Sequence, residues 1–422
     1  MTAKVETLQS QTDYKSHTRQ RIMGVIFLAL AGIIWIYFAN DVEPGAITKF
    51  GLTPGGSKVL LPDWTFQSAY ALNILATISA ALGAYQLARG FGQRTNLVLG
   101  LVAAMFIFGF LSWAASGGSL NMAGLLRTTL VRAVPITLGA LSGLLCERAG
   151  VVNIAIEGMM LTGAMVGAIV GSLTNIWIGL VGAVLAGGLL AAVHAVLSIK
   201  YKTDQIISGT VINIFATGMT SFISAKFLQN HPELNSSGIF PPVQIPGLVD
   251  IPFFGPILFN HNIFVYSTLI FLVVLQFGLF HTRWGLRVRS VGEHPKAADT
   301  LGINVFRTRY ISVIMGGMMA GFGGAYFTLG SVGRFDEVMT AGRGFIGLAA
   351  MIFGNWKPIG SFGAGLLFGF ADMLASKLAI LGVPIPSEFL LMAPYLATMI
   401  VLAGVVGRGQ MPAADGTPYE KE

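Results

Sequence analysis

The sequence predicts an all-α fold: a polytopic transmembrane helical bundle of about 10–12 spans. Three observations predict it. Side chains are 54% hydrophobic and only 11% charged, where soluble domains carry about 25% charged residues. Several runs of roughly 18–22 residues hold almost no charge, and about 20 residues cross the hydrocarbon core of a bilayer. Glycine is 54 of 422 residues, about twice the usual share. Small residues let transmembrane helices approach closely where no hydrophobic force drives them together.

Taken in order, the apolar runs place spans near 22–39, 69–88, 96–115, 128–146, 151–173, 177–198, 206–228, 263–280, 309–330, 344–355, 360–381 and 388–406. The first follows about 20 polar residues and is too long for a signal h-region, so it reads as a retained helix. A Gly-rich core begins near residue 126. Residues 1–125 therefore read as a cytoplasmic N-terminus plus peripheral helices, and 126–407 as the core domain. The short polar stretch 408–422 reads as a disordered tail.

Charge placement sets the orientation, because Lys and Arg bias loops to the cytoplasm. Net charge is +7. With the N-terminus inside and the spans alternating, the inside segments hold Lys4, Lys15, Arg19, Arg21, Arg89, Arg94, Arg148, Lys200, Lys202, Arg283, Arg287, Arg289, Lys296, Arg307, Arg309, Lys357, Arg408 and Lys421. That is 18 of 26 basic residues, and it puts both termini in the cytoplasm. Two long outside segments, 40–68 and 229–262, are dense in proline (Pro44, Pro54 and Pro62; Pro232, Pro241, Pro242, Pro246, Pro252 and Pro256). Proline blocks helices and favours an extended or turning path. These segments read equally as partner surfaces and as connectors.

Two segments look like broken helices: 146–160, CERAGVVNIAIEGMM, and 340–363, TAGRGFIGLAAMIFGNWKPIGSFG. Each precedes a Gly-rich span. Broken segments in corresponding halves point to an inverted repeat with a site near the bilayer midplane, although the two strings share little sequence.

Catalytic motifs are missing. GLTPGGSK at 51–58 has Ser57 where a phosphate loop needs Lys. There is no HExxH, paired CxxC or GxSxG string. The histidines at 17, 194, 231, 261, 281 and 294 are scattered, so no metal site is visible. Cys146 is the one cysteine. It excludes an internal disulfide and reads as a small apolar filler. No enzyme activity, cofactor or nucleic acid partner is indicated. If the protein pumps, another subunit supplies the energy.

Ionisable residues inside a membrane are costly and are functional candidates by default. In a helical 146–160, Asn153 and Glu157 share a face and offer amide and carboxylate to sugar hydroxyls or a base edge. The alternative is that Glu157 caps a helix near a membrane boundary. Asp372 lies in mid-span, where a carboxylate must be paired, protonated or facing water. It reads as a helix-to-helix tie or a substrate contact, with Lys377 an imperfect partner. Asn213 and His194 read more readily as interhelical glue than as ligands. Arg132 reads as snorkelling to the outer interface. Phe345 offers a ring to a base or sugar, against plain packing as the alternative.

The polar island His281–Arg309 holds six basic residues, more than any other segment between spans. Within it SVGEHPKAADTLGINV reads as a short helix between turns. Pro295 suits an early helical position and Gly302 ends the helix. Such a helix, presented to the cytoplasm, fits a groove on a partner; the alternative, a solvated charged connector, explains the arginines but not the Gly–Pro–Ala–Ala–Gly punctuation.

At these residues a family resemblance appears. VGEHPKAADTLGINVFRTR is similar to the coupling loop of binding-protein-dependent ABC importer permeases. ERAGVVNIAIEGMMLTGA and FIGLAAMIFGNWKPIGSFGAGLLFGFADML resemble the simple-sugar, nucleoside and branched-chain amino acid branch, closest to its nucleoside and simple-sugar permeases. The likeness covers roughly 126–406. It implies a transmembrane permease for nucleosides or related sugars, paired with a second permease (a paralogue or itself). It also implies partners in an ABC ATP-binding subunit, which binds the ATP, and an extracytoplasmic substrate-binding protein. The motif places Gly292, Glu293, His294, Pro295, Ala297, Ala298 and Gly302 at the ATPase contact. Substrate would then pass near Asn153, Glu157, Asn213, Phe345 and Asp372. The alternative is an ion-coupled secondary transporter with Glu157 and Asp372 as proton sites. An intramembrane enzyme has no supporting signature.

Overall fold

The computed structural model describes residues 2–55, 60–381, 386, 388–389, 391–392 and 410–421. Residues 56–59 of the GLTPGGSK string and most of the expected span 388–406 lie outside the described residues. The chain divides into two compact units, residues 1–124 with 376–387, and residues 125–375 with 388–422.

The first unit holds α1 (Thr2–Ile33), β1 (Ile47–Gly51), β2 (Trp64–Gln67), α2 (Ser68–Ala88), α3 (Thr95–Ala114) and β3 (Ser119–Asn121). α1 runs on as a π-helix over Ile34–Ala39. The proline-rich segment 40–68 supplies β1 and β2, which with β3 form a small sheet of order β2-β1-β3. β1 is antiparallel to β2 (Ile47 opposite Gln67) and parallel to β3 (Lys49 opposite Ser119). Phe50 is its buried anchor, edge-on to Phe66 and Phe108.

The second unit continues with α4 (Met122–Glu147), α5 (Ile156–Leu173), α6 (Ile176–Ala195) and α7 (Gln205–Ile223). The loop 229–262 then forms a short β4 (Val243–Gln244), the single turn α8 (Phe254–Leu258) and β5 (Asn260–His261), which pairs with β4. α9 (Ile263–His281), α10 (Arg283–Glu293), α11 (Pro295–Thr300), α12 (Val305–Phe327), α13 (Arg343–Phe353) and α14 (Pro358–Leu381) complete it. Among the described residues ten helices are long and apolar enough to cross a membrane. The protein is a multi-pass membrane protein, and the predicted helical bundle is the observed one.

α5, α6 and α12 form the packed centre, and glycine permits it. A Cβ on Gly324 of α12 would collide with the Met160 carbonyl of α5. One on Gly163 of α5 would lie 2.8 Å from the Gly321 backbone of α12. Backbones this close gain dispersion contacts that a side chain would forbid.

Four expectations change. Residues 148–155 are not helical: α4 stops at Glu147 and α5 starts at Ile156, so the expected span 151–173 begins five residues late. The expected span 344–355 is the 11-residue α13, about 16 Å long at 1.5 Å per residue and too short to cross. The polar island carries a second helix, α10, where a turn was expected, started by the Thr282 side chain accepting the Gly285 N–H. Finally, residues 410–421 are not a loose tail. The Ala413 N–H donates to Glu293, the Ala414 N–H to the Gly292 carbonyl, and Arg309 to the Thr417 carbonyl. Tyr419 is buried with Val291, Ala298 and Val305. A polar composition predicted disorder because it carries little apolar area to bury; one tyrosine and satisfied backbone groups suffice here.

Candidate functional site

The two broken segments lie side by side, joined at both ends. At one end Glu157 opens α5. Its Oε1 accepts the Thr340 hydroxyl at 2.6 Å and the Gly342 N–H at 2.8 Å, and its Oε2 accepts the Gly344 N–H at 2.6 Å. Thr340, Gly342 and Gly344 lie at the start of α13, where the first N–H groups have no partner within the helix. Glu157 therefore caps a helix, but the cap belongs to α13, not to its own. Glycine is required at 344, since a Cβ there would lie 2.6 Å from the Glu157 backbone. Gly342 takes a φ of +77°, which L side chains adopt poorly.

At the other end, Arg148 follows α4. Its Nε and Nη2 donate to the Trp356 carbonyl at 2.9 and 2.6 Å, in the turn between α13 and α14. The Trp356 indole donates to Glu147. Burial lowers the Arg148 pKa and Glu293 partly restores it.

Asn213 fixes the start of α5 from α7. Its Oδ1 accepts the Gly158 N–H at 2.8 Å and its Nδ2 donates to the Ile154 carbonyl at 2.8 Å. Asn213 stands eight residues into α7, about 12 Å along its axis, so α5 begins within the apolar zone. Asn153 does not share a helical face with Glu157, because residue 153 lies in the break. Its amide turns to Cys146, Met159 and the Ala155 N–H. His194 is glue, as expected. Its Nε2 donates to the Val152 carbonyl, so in the neutral ring Nδ1 accepts from Ser208.

Asp372 and Phe345 differ from these. Phe345 is half exposed on α13. Asp372 pairs with Arg132 at 3.1 Å and Arg343 at 3.5 Å. Arg132 also donates to the Asp372 carbonyl at 2.7 Å, so it turns inward instead of snorkelling. Arg343 went unnoticed in the sequence, although an arginine opening a short apolar helix was the available signal.

The polar island folds into two short consecutive helices, α10 and α11. α10 ends at Glu293, and His294 caps α11 by accepting the Ala297 N–H. Gly302, at φ +79°, ends the turn that follows α11. Of the seven expected coupling residues, Glu293, His294, Ala297 and Gly302 are exposed, Pro295 is half-buried, and Gly292 and Ala298 are buried. Gly292 packs against the Arg148 carbonyl, where a Cβ would collide. Glu293 lies 4.0 Å from Arg148. The end of α10 thus rests on the break before α5.

A family model described as "branched-chain amino acid transport system / permease component" matches residues 125–406. A guanosine ABC transporter permease of Bacillus subtilis is 42% identical, over 69% of this chain and 95% of its own length. A nucleoside ABC transporter permease of Lactococcus lactis is 39% identical over 69% and 95%. A putative glucose ABC transporter permease of Haloferax volcanii is 38% identical over 60% and 77%. No solved structure matches significantly.

Proposed function

This chain belongs to the branched-chain amino acid transport system / permease component family, and from that premise we propose that it carries nucleosides or related sugars through the inner membrane. As a permease subunit of an ABC importer, it works with an ATPase and a substrate-binding protein. The finer reading adds a second permease of the same kind, both termini in the cytoplasm and residues 1–125 as a peripheral addition. The guanosine and nucleoside permeases among its relatives support the nucleoside preference.

One observation carries the mechanism: the lever α10–α11 sits on the break before α5. ATP binding by the partner closes its domains and moves α11. Gly292 and Glu293 pass the motion to Arg148, which is tied to the α13–α14 turn. α5 passes it through Glu157 to the start of α13. The bundle then rocks between outward- and inward-open states. Gly292, Glu293, His294, Pro295, Ala297, Ala298 and Gly302 make up the lever. Asn153, Glu157 and Asn213 position the broken helices, while Phe345 and Asp372 border the path. The geometry disfavours proton coupling at Glu157, whose two oxygens already accept three hydrogen bonds.

Ala297 is the test position, because it is exposed whereas Ala298 is buried. Ala297→Glu should abolish co-purification of the ATPase and uptake into vesicles, with membrane insertion unchanged. Undiminished uptake by this variant would refute the lever.

A further inference from the structure

We propose that Arg343 and Asp372, backed by Arg132, form a contact site inside the bundle for the vicinal hydroxyls of a neutral solute. The inference rests on the permease reading and adds the ligand chemistry and two residues. Three ionisable side chains converge, from the spanning helices α4 and α14 and from the short apolar α13. Arg132 is ten residues into α4 and Asp372 fourteen into α14, about 15 and 21 Å along their axes. Charges at such depth line pathways or pair with one another. These do both: each side chain keeps between a quarter and a third of its surface open.

The two arginines are held differently. Arg132 is clamped by bonds of 2.7 and 3.1 Å to the Asp372 carbonyl and carboxylate. Arg343 reaches Asp372 and the Thr340 carbonyl only at 3.5 and 3.4 Å, at the weak limit of a hydrogen bond. Its backbone, by contrast, is fixed by the Glu157 cap. A guanidinium on a fixed stem with long, weak bonds is poised to take a better acceptor.

Arg343 and Asp372 line a cavity of about 250 Å³, with Ile136, Ile346, Phe368 and Ala371 as apolar walls. Few polar groups on an apolar wall is the usual make-up of a small-molecule site. The charges select the ligand class. Two guanidinium groups against one carboxylate repel a cation. The Asp372 carboxylate only accepts, so it needs hydrogen-bond donors that an ionised acidic ligand group does not bring. A neutral cis-diol satisfies both, its O–H groups donating to Asp372 and its oxygens accepting from Arg343. A furanose presents that diol, whether in a nucleoside or in a free pentose.

The test uses the purified permease–ATPase complex without its binding protein, with thermal unfolding followed at millimolar inosine, 2′,3′-dideoxyinosine or ribose. Inosine should raise the unfolding temperature and dideoxyinosine should not. Stabilisation by ribose as well would mean that the diol alone suffices; stabilisation by inosine only would mean that the base is also needed. Arg343→Gln and Asp372→Asn should each weaken the inosine response about tenfold, the loss of one charged hydrogen bond. Arg343→Lys, which keeps the charge without the fork, should restore part of it. Equal stabilisation by inosine and dideoxyinosine, or an unchanged response in folded Arg343→Gln, would overturn the site. Uptake of inosine by complete wild-type transporter in proteoliposomes, measured in parallel, separates this failure from failure of the nucleoside reading.

Discussion

Glu157 shows how one side chain can join two elements that the sequence keeps 185 residues apart. It is buried with three donors around it, and hydrogen bonds to charged groups contribute about 1.5–3 kcal/mol each. Glu157→Ala should therefore destabilise the detergent-solubilised protein by about 3 kcal/mol or more, read as a fall in unfolding temperature. Glu157→Gln keeps one acceptor oxygen and should lose less. A stability equal to wild type in both variants would mean that α13 is held by other contacts. Half of this was legible in the sequence: a glutamate opening a helix after a break is a visible capping candidate. Its target was not, because a cap on a distant helix leaves no local spacing to read. Asn213 was legible as glue for the same reason in reverse, since an amide in an apolar helix must find a partner.

Helix by helix, composition located the spans but not their ends. α13 and α5 begin where backbone N–H groups meet Glu157 and Asn213, partners that hydropathy does not record. The segment Gln410–Lys421 failed for a different reason. Its polarity predicted a free end, yet it straps the lever to the bundle through Gly292, Glu293 and Arg309, with Lys202 pairing to Glu420 and Lys421 to Asp299. Asp415 sits beside Glu147 with Arg309 in Coulombic reach, and burial pushes its carboxyl from 3.8 to about 7. A raised acid pKa favours the docked strap when the group is protonated. Docking is then strongest near pH 4 and weakens as pH rises toward about 7, levelling off above. Limited proteolysis should cut the strap faster at pH 8 than at pH 5, and Asp415→Asn should flatten the difference. Equal cleavage at both pH values would remove Asp415 as the cause. Removing residues 410–422 should leave insertion intact and lower uptake, because the lever loses one of its two supports.

Across the whole molecule, the contacts form one continuous route: α11, Gly292, Arg148, the start of α5, Glu157, the start of α13, Arg343. Spatial continuity alone does not establish coupling, so the route must be tested by breaking it where neither ATP nor solute is touched. Gly150 is that place. It lies in the break at φ +83°, and a Cβ there would approach the Arg309 guanidinium at 2.8 Å. Gly150→Ala imposes backbone strain of about 1–3 kcal/mol without substituting any residue of α10, α11 or the Arg343 cavity. In reconstituted transporter the variant should still bind its ATPase and hydrolyse ATP at nearly the wild-type rate. Solute moved per ATP should drop about tenfold, the equivalent of 1.4 kcal/mol lost between lever and bundle. A parallel fall in hydrolysis and uptake would instead mean that the break only supports the fold. An unchanged ratio with both activities intact would show that the motion reaches α13 by another path, such as the Arg148 bond to the Trp356 carbonyl.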